Sequence, residues 1–175
     1  MGRHQMNVQH FMRTGEDINT TPYHYKDCGL DNIILRNGFT RELDDGEEFL
    51  TVKDVDGLHK AIGMHIVLER KAPSGKELRF LRNELDMTQS ELASMLSVSD
   101  QSVARWEKGQ CEANGAAVFA LRVIYLLSFV PEQERGVLLN DFLARLRRLN
   151  ESDETSDNVV MIYCGQRWTD DARAA

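Results

Sequence analysis

MTQSELASMLSVSDQSVARWEKGQ, residues 87–110, decides how this chain is read. Thr88 and Glu91 stand ahead of Leu92, Met95 and Leu96. That is the spacing of a capping box, in which a hydroxyl and a carboxylate each satisfy a free backbone N–H. Ser99 offers a second N-cap, and Gly109 supplies the left-handed residue that can end the helix Ser99 starts. The stretch therefore predicts two short helices joined by a tight turn at Ser97-Val98. A helix of ~8 residues is not stable alone, so tertiary packing must hold the first one. Ala93 is small enough to let the second helix cross close by, and Val98, Val103 and Trp106 are spaced to fill one shared core.

This is a helix-turn-helix pattern. Turning Val103 and Trp106 inward leaves Ser99, Asp100, Gln101, Arg105 and Lys108 on the outer face. An amide and a guanidinium among short polar side chains are the groups needed to read base edges in a DNA major groove. Free N–H groups at both helix N-termini suit phosphates. Asp100 has two readings: an acceptor for a cytosine amino group, or a carboxylate favoured by the helix dipole. Glu107 is expected to pair inside the domain, because a carboxylate facing phosphates would repel them.

Working outward, Ser74-Gly75-Lys76-Glu77 fits another capping box before Leu78, Leu81 and Leu85. A further helix is expected from Gly115 to Leu127. After Pro131, residues 132–149 are strongly periodic. Val137, Leu138, Leu139, Phe142, Leu143, Leu146 and Leu149 give that helix a wide apolar face, suited to its own core or to a dimer. Upstream, Leu58, Ala61, Ile62, His65 and Ile66 mark an amphipathic helix over 57–69, with Asp56 as its expected N-cap. Asn32–Leu35 and Glu48–Val52 read as strands beside the turn dipeptides Asn37-Gly38 and Asp45-Gly46. Asn158–Cys164 is a candidate final strand.

The expected class is α+β. A mobile arm (1–22) precedes a small β-rich module with a connecting helix (23–72). An all-α helix-turn-helix domain (73–130) follows, then a C-terminal helix and tail (131–175). The polar stretch 150–157 (NESDETSD) reads as a linker.

Composition bounds the rest. The chain has 175 residues, 21 basic and 28 acidic, for a net charge of −7. The acidity lies mostly outside the motif: residues 73–127 carry 6 basic and 7 acidic side chains, against net −3 on either side. A 42% hydrophobic content suffices for a core, and three cysteines exclude a dense disulfide scaffold. The longest apolar run, Val123–Val130, is far short of the ~20 residues of a membrane span. The N-terminus has no signal-peptide core, so a cytoplasmic setting is expected. No G-x-S-x-G or other nucleophile motif is present, and no enzymatic activity is expected. His24, Cys28, His59 and His65 do not share a ligand spacing, so neither a metal nor another cofactor is expected. The acidic run Glu42–Glu48 (ELDDGEE) reads as a solvated loop, or alternatively as a surface for a basic partner.

Residues 87–110 also closely resemble the Xre/Cro-type helix-turn-helix of bacterial and phage regulators. The T-Q-x-E-L-A start, the V-S turn and the S-V-x-R-W-E-x-G end all match. Ser97 departs from the glycine usual in that turn, which implies local strain. The resemblance implies that Gln89 contacts phosphate, that Ser99, Asp100, Gln101 and Arg105 face bases with Ser102 beside them, and that Lys108 touches the backbone. It further implies double-stranded DNA as partner and a homodimer acting as a repressor. Tyr23–Phe39 and Asp54–Val67 extend the likeness towards YgiT/MqsA-type antitoxins, which pair a zinc module of two C-x-x-C pairs with an Xre-type domain. This chain has no C-x-x-C, and His24 with Cys28 supplies at most two ligands, so zinc is not expected. Neutralisation of a cognate toxin, with autoregulation of the operon, is the alternative function this likeness implies.

Overall fold

The computed structural model describes residues 21–44, 47–151 and 158–171. The arm expected over 1–22 lies outside the described residues up to residue 20, and the linker expected over 150–157 lies outside them from residue 152. The elements run β1 (Tyr23–Tyr25), β2 (Ile33–Leu35), β3 (Phe39–Asp44), β4 (Glu47–Val52), α1 (Val55–Glu69), α2 (Gly75–Glu84), α3 (Gln89–Leu96), α4 (Asp100–Glu107), α5 (Gly115–Phe129), α6 (Glu132–Glu151), β5 (Val159–Cys164) and β6 (Arg167–Asp170). This is a mixed α+β architecture. Strands β1, β3 and β6 go beyond the three segments whose pattern predicts strands. β1 is three residues long, too short to show alternation, and β3 is charged at three of its six positions.

The sheet order is β1-β2-β5-β6, and β3 and β4 form a separate hairpin. β2 pairs in parallel with β5, with Ile33 opposite Val159 and Leu35 opposite Met161. Parallel strands need a long crossover, and here it contains the β3–β4 hairpin and all six described helices. The tail strand thus shares a sheet with the start of the described chain. The β5–β6 hairpin turns through Gly165 and Gln166, both at positive φ, 57° and 63°. That is the left-handed pair a two-residue hairpin with properly twisted strands demands.

Gly38, at φ 74°, is the one position in this region that must lack a side chain. A Cβ there would fall 2.6 Å from the Trp168 ring. Asn37 extends the sheet with side-chain bonds: its amide accepts from Tyr163 N–H at 2.6 Å and donates to Tyr163 C=O at 2.9 Å.

The core is continuous from sheet to helices. Ile33, Leu35 and Met161 of the sheet, Leu58, Ile62 and Ile66 of α1, and Leu81, Leu121 and Tyr125 belong to one buried cluster. The cap of α1 is Asp54, not Asp56: its carboxylate accepts from Gly57 N–H at 3.1 Å, so the helix starts at Val55. Asp56 lies in the first turn, where its charge still suits the dipole. α5 runs two residues past Leu127 and stops at Val130, held extended by the following Pro131. Met95, expected on the apolar stripe of α3, is 55% exposed, because that helix buries Leu92 and Ala93 instead.

Candidate nucleic-acid interface

Local chemistry sets the three helices that carry the site. Ser74 with Glu77 and Thr88 with Glu91 each form a complete capping box at the starts of α2 and α3. Ser99 caps α4 by accepting from Ser102 N–H at 3.2 Å. The three helices also end alike. Met87 N–H bonds to Arg82 C=O, Val98 N–H to Ala93 C=O, and Gln110 N–H to Arg105 C=O. Each bond spans a left-handed residue: Asp86 (φ 54°), Ser97 (φ 55°) and Gly109 (φ 67°). This is the Schellman arrangement, in which glycine is favoured because it has no Cβ to clash. Ser97 thus occupies the strained conformation that its departure from glycine implies. Ser97→Gly should raise stability by roughly 0.5–1 kcal/mol. A urea denaturation midpoint equal to or below wild type would show that the turn stores no such strain.

A buried polar cluster fixes α4 against α2 and α3. Arg82 donates to Glu107 through Nε at 2.6 Å and Nη2 at 3.0 Å, and to Met87 C=O through Nη1 at 2.7 Å. Gln89 Nε2 donates to the same Glu107 carboxylate at 2.8 Å. The expectation that Glu107 serves inside the domain thus has its partners. Sequence reasoning missed Arg82. The signal was present: Arg82 falls four residues after Leu78 and directly after Leu81, on the buried stripe of α2.

Above this brace α4 shows its outer face. Asp100, Gln101, Arg105 and Lys108 are exposed, while Val103 is buried and Trp106 packs partly buried against the core. Gln101, Arg105 and Lys108 follow one another by four and three positions, so they lie along one stripe. Ser99 and Ser102 are paired through their hydroxyls at 2.9 Å, which makes them chiefly a helix start. Gln89 is half-buried at the mouth of α3. The structure therefore groups Gln101, Arg105 and Lys108 as an open stripe, with Asp100 beside them. It ties Gln89, Ser99 and Ser102 into hydrogen bonds of the domain.

These contacts are those of a motif built to present one helix. Residues 78–121 match the family model described as Helix-turn-helix. Residues 78–121 are a helix-turn-helix domain. The domain begins inside α2 and ends inside α5. The HTH-type transcriptional regulator DicA of Escherichia coli (strain K12) is 43% identical over 47 residues, 27% of this chain. The match spans 35% of that regulator's length. No solved structure matches the chain.

His24, His59 and His65 are each engaged in side-chain contacts within the fold. Burial pushes the Tyr25 hydroxyl up to about 12, so it stays protonated and donates to His59 Nε2 at 2.8 Å. The opposite nitrogen, Nδ1, lies 3.0 Å from Glu84, so one neutral tautomer satisfies both bonds. His65 pairs with Asp170, and His24 with the Asp31 carbonyl. Among the described residues no group of three or more His, Cys, Asp and Glu could hold a metal ion. No described helix is long and apolar enough to cross a membrane.

Proposed function

We propose that this chain is a DNA-binding transcription regulator that inserts α4 into the major groove. The observation carrying this reading is the open stripe Gln101, Arg105 and Lys108 on a helix braced from beneath by Arg82, Glu107 and Gln89. Arg105 is the direct reader of a guanine edge, Gln101 reads an adjacent base, and Asp100 and Ser99 assist. Lys108 and Gln89 hold the backbone. Gln89 spends one amide hydrogen on Glu107 and keeps the other, with its backbone N–H, for a phosphate oxygen. Arg105→Ala should cost ~1–3 kcal/mol and relax preference at one base pair. Selection of bound sequences from random duplex DNA, followed by gel-shift titration, measures both. Absence of any enriched sequence would overturn the DNA reading, and unchanged affinity of the variant would remove Arg105 from it. With net −7 overall, the salt dependence should be modest, because few phosphates are neutralised.

The regulator acts as a two-fold dimer and as a repressor. One short helix reads few base pairs, and a dimer reads two half-sites ~34 Å apart. Val137 is 76% and Leu143 48% exposed on α6, which supports that helix as the interface. The double change Val137→Asp/Leu143→Asp should convert a species of about twice 20.0 kDa into one of 20.0 kDa by light scattering after gel filtration. A wild-type protein already at the lower mass would overturn the dimer.

A further inference from the structure

We propose that α6 pairs antiparallel with α6 of a second copy of this chain, with Asn140 on the two-fold axis. This rests on the dimer argued above and gives it a direction and a set of contacts. Helix α6 is 20 residues long, about 30 Å. Its inner side is fixed by Phe142, which is 1% exposed, with Leu138 and Leu146 packed against the same core. The opposite side is open to solvent at Gln133, Val137, Asn140, Ala144 and Arg147. These positions follow one another by four, three, four and three, the repeat of a seam between two helices. Val137 and the flanking Leu143 make the middle of that side apolar, and Gly136 and Ala144 are small enough to let a second helix approach.

Charge selects the occupant and its direction. The exposed side carries Glu132 and Glu134 at its start and Arg147 and Arg148 near its end. Asp141 and Arg145, between them, already pair with each other at 2.7 Å, so the helix keeps one acidic and one basic end. A second copy laid parallel sets glutamates beside glutamates and arginines beside arginines. Laid antiparallel about Asn140, it sets each acidic end on the partner's basic end. Val137 then meets the partner's Ala144, and the two Asn140 amides face each other, each able to donate and to accept. Exposed ion pairs add little affinity, but like charges held together penalise the wrong direction.

Two double variants test the pairing in the full chain. Glu132→Arg/Glu134→Arg and Arg147→Glu/Arg148→Glu change only exposed side chains. In sedimentation equilibrium each should self-associate at least tenfold more weakly than wild type. Their equimolar mixture should recover wild-type affinity within threefold, as a heterodimer that native mass spectrometry resolves. Variants that self-associate at wild-type strength, or a mixture no stronger than its parts, would overturn the pairing. Cysteines give a second reading that does not involve charge. Val137→Cys mixed with Ala144→Cys should form disulfide-linked dimers on mild oxidation. Each alone should form no more than the wild type, with its three half-buried cysteines. Equal cross-linking of Val137→Cys with itself would mean parallel helices and overturn the direction while leaving the dimer. A wild-type chain that sediments at 20.0 kDa would overturn the dimer and the pairing together.

Discussion

Glu107→Leu should destabilise the protein by about 3–5 kcal/mol, because it leaves the Arg82 guanidinium buried without its counter-charge. Arg82 and Glu107 are 8% and 9% exposed, so water cannot take the missing place without opening the helices. At ~2–4 °C per kcal/mol for a chain of this size, Tm should fall by about 10 °C. The loss would be localised in effect. Glu107 is the shared acceptor for a side chain from α2 and one from α3, and removing it frees α4 from both. DNA affinity should therefore fall for all sequences together, with Gln89 losing its orientation as well. The double change Arg82→Met/Glu107→Leu should be more stable than Glu107→Leu alone, since an apolar pair avoids the burial of a lone charge. If the single variant unfolds within about 1 kcal/mol of wild type in urea, the cluster is not what holds α4.

The same cluster shows where the sequence was legible. Capping boxes at Ser74 and Thr88 and the cap at Ser99 involve residues three apart, so their chemistry is visible in a linear reading. The outer stripe of α4 followed from helical spacing once Val103 was turned inward. What escaped depended on distant partners. Arg82 and Glu107 are 25 positions apart, and nothing in either neighbourhood names the other. β5 was read as a strand, but its parallel pairing with β2, some 126 positions earlier in register, was not readable. Asp56 was read as the cap of α1, but the Gly57 N–H bonds to Asp54, so the cap sits two residues earlier. Met95 had the right period and the wrong environment, because α3 is short and buries only its Leu92–Ala93 side deeply.

Arg122→Met should produce a second large loss, roughly 2–5 kcal/mol, through the backbone it leaves unsatisfied. Arg122 is 2% exposed, yet it sits in the middle of an apolar helix, which demands a reason. The reason lies at the end of α1. That helix ends at an extended Arg70, without a glycine cap and without a basic residue in its last turn. Its last carbonyls therefore have neither an intrahelical partner nor a charge of their own to offset the dipole. Arg122 supplies both from α5, donating to Val67 C=O at 2.7 Å, Arg70 C=O at 2.5 Å and Lys71 C=O at 3.1 Å. Arg70 in turn donates to Glu77 at 2.9 Å, and Glu77 closes the capping box on Ser74. The link from the sheet and α1 into the helix-turn-helix domain is thus pinned at both ends by side chains. Methionine keeps most of the buried stem but none of the donors. Hydrogen exchange should accelerate over residues 68–78 before it changes in α4. Arg122→Lys should recover less than half the loss, since a compact ammonium cannot fork across three carbonyls as the planar guanidinium does. Wild-type stability in Arg122→Met, or protection retained over 68–78, would mean that α1 ends and the linker holds without this cap.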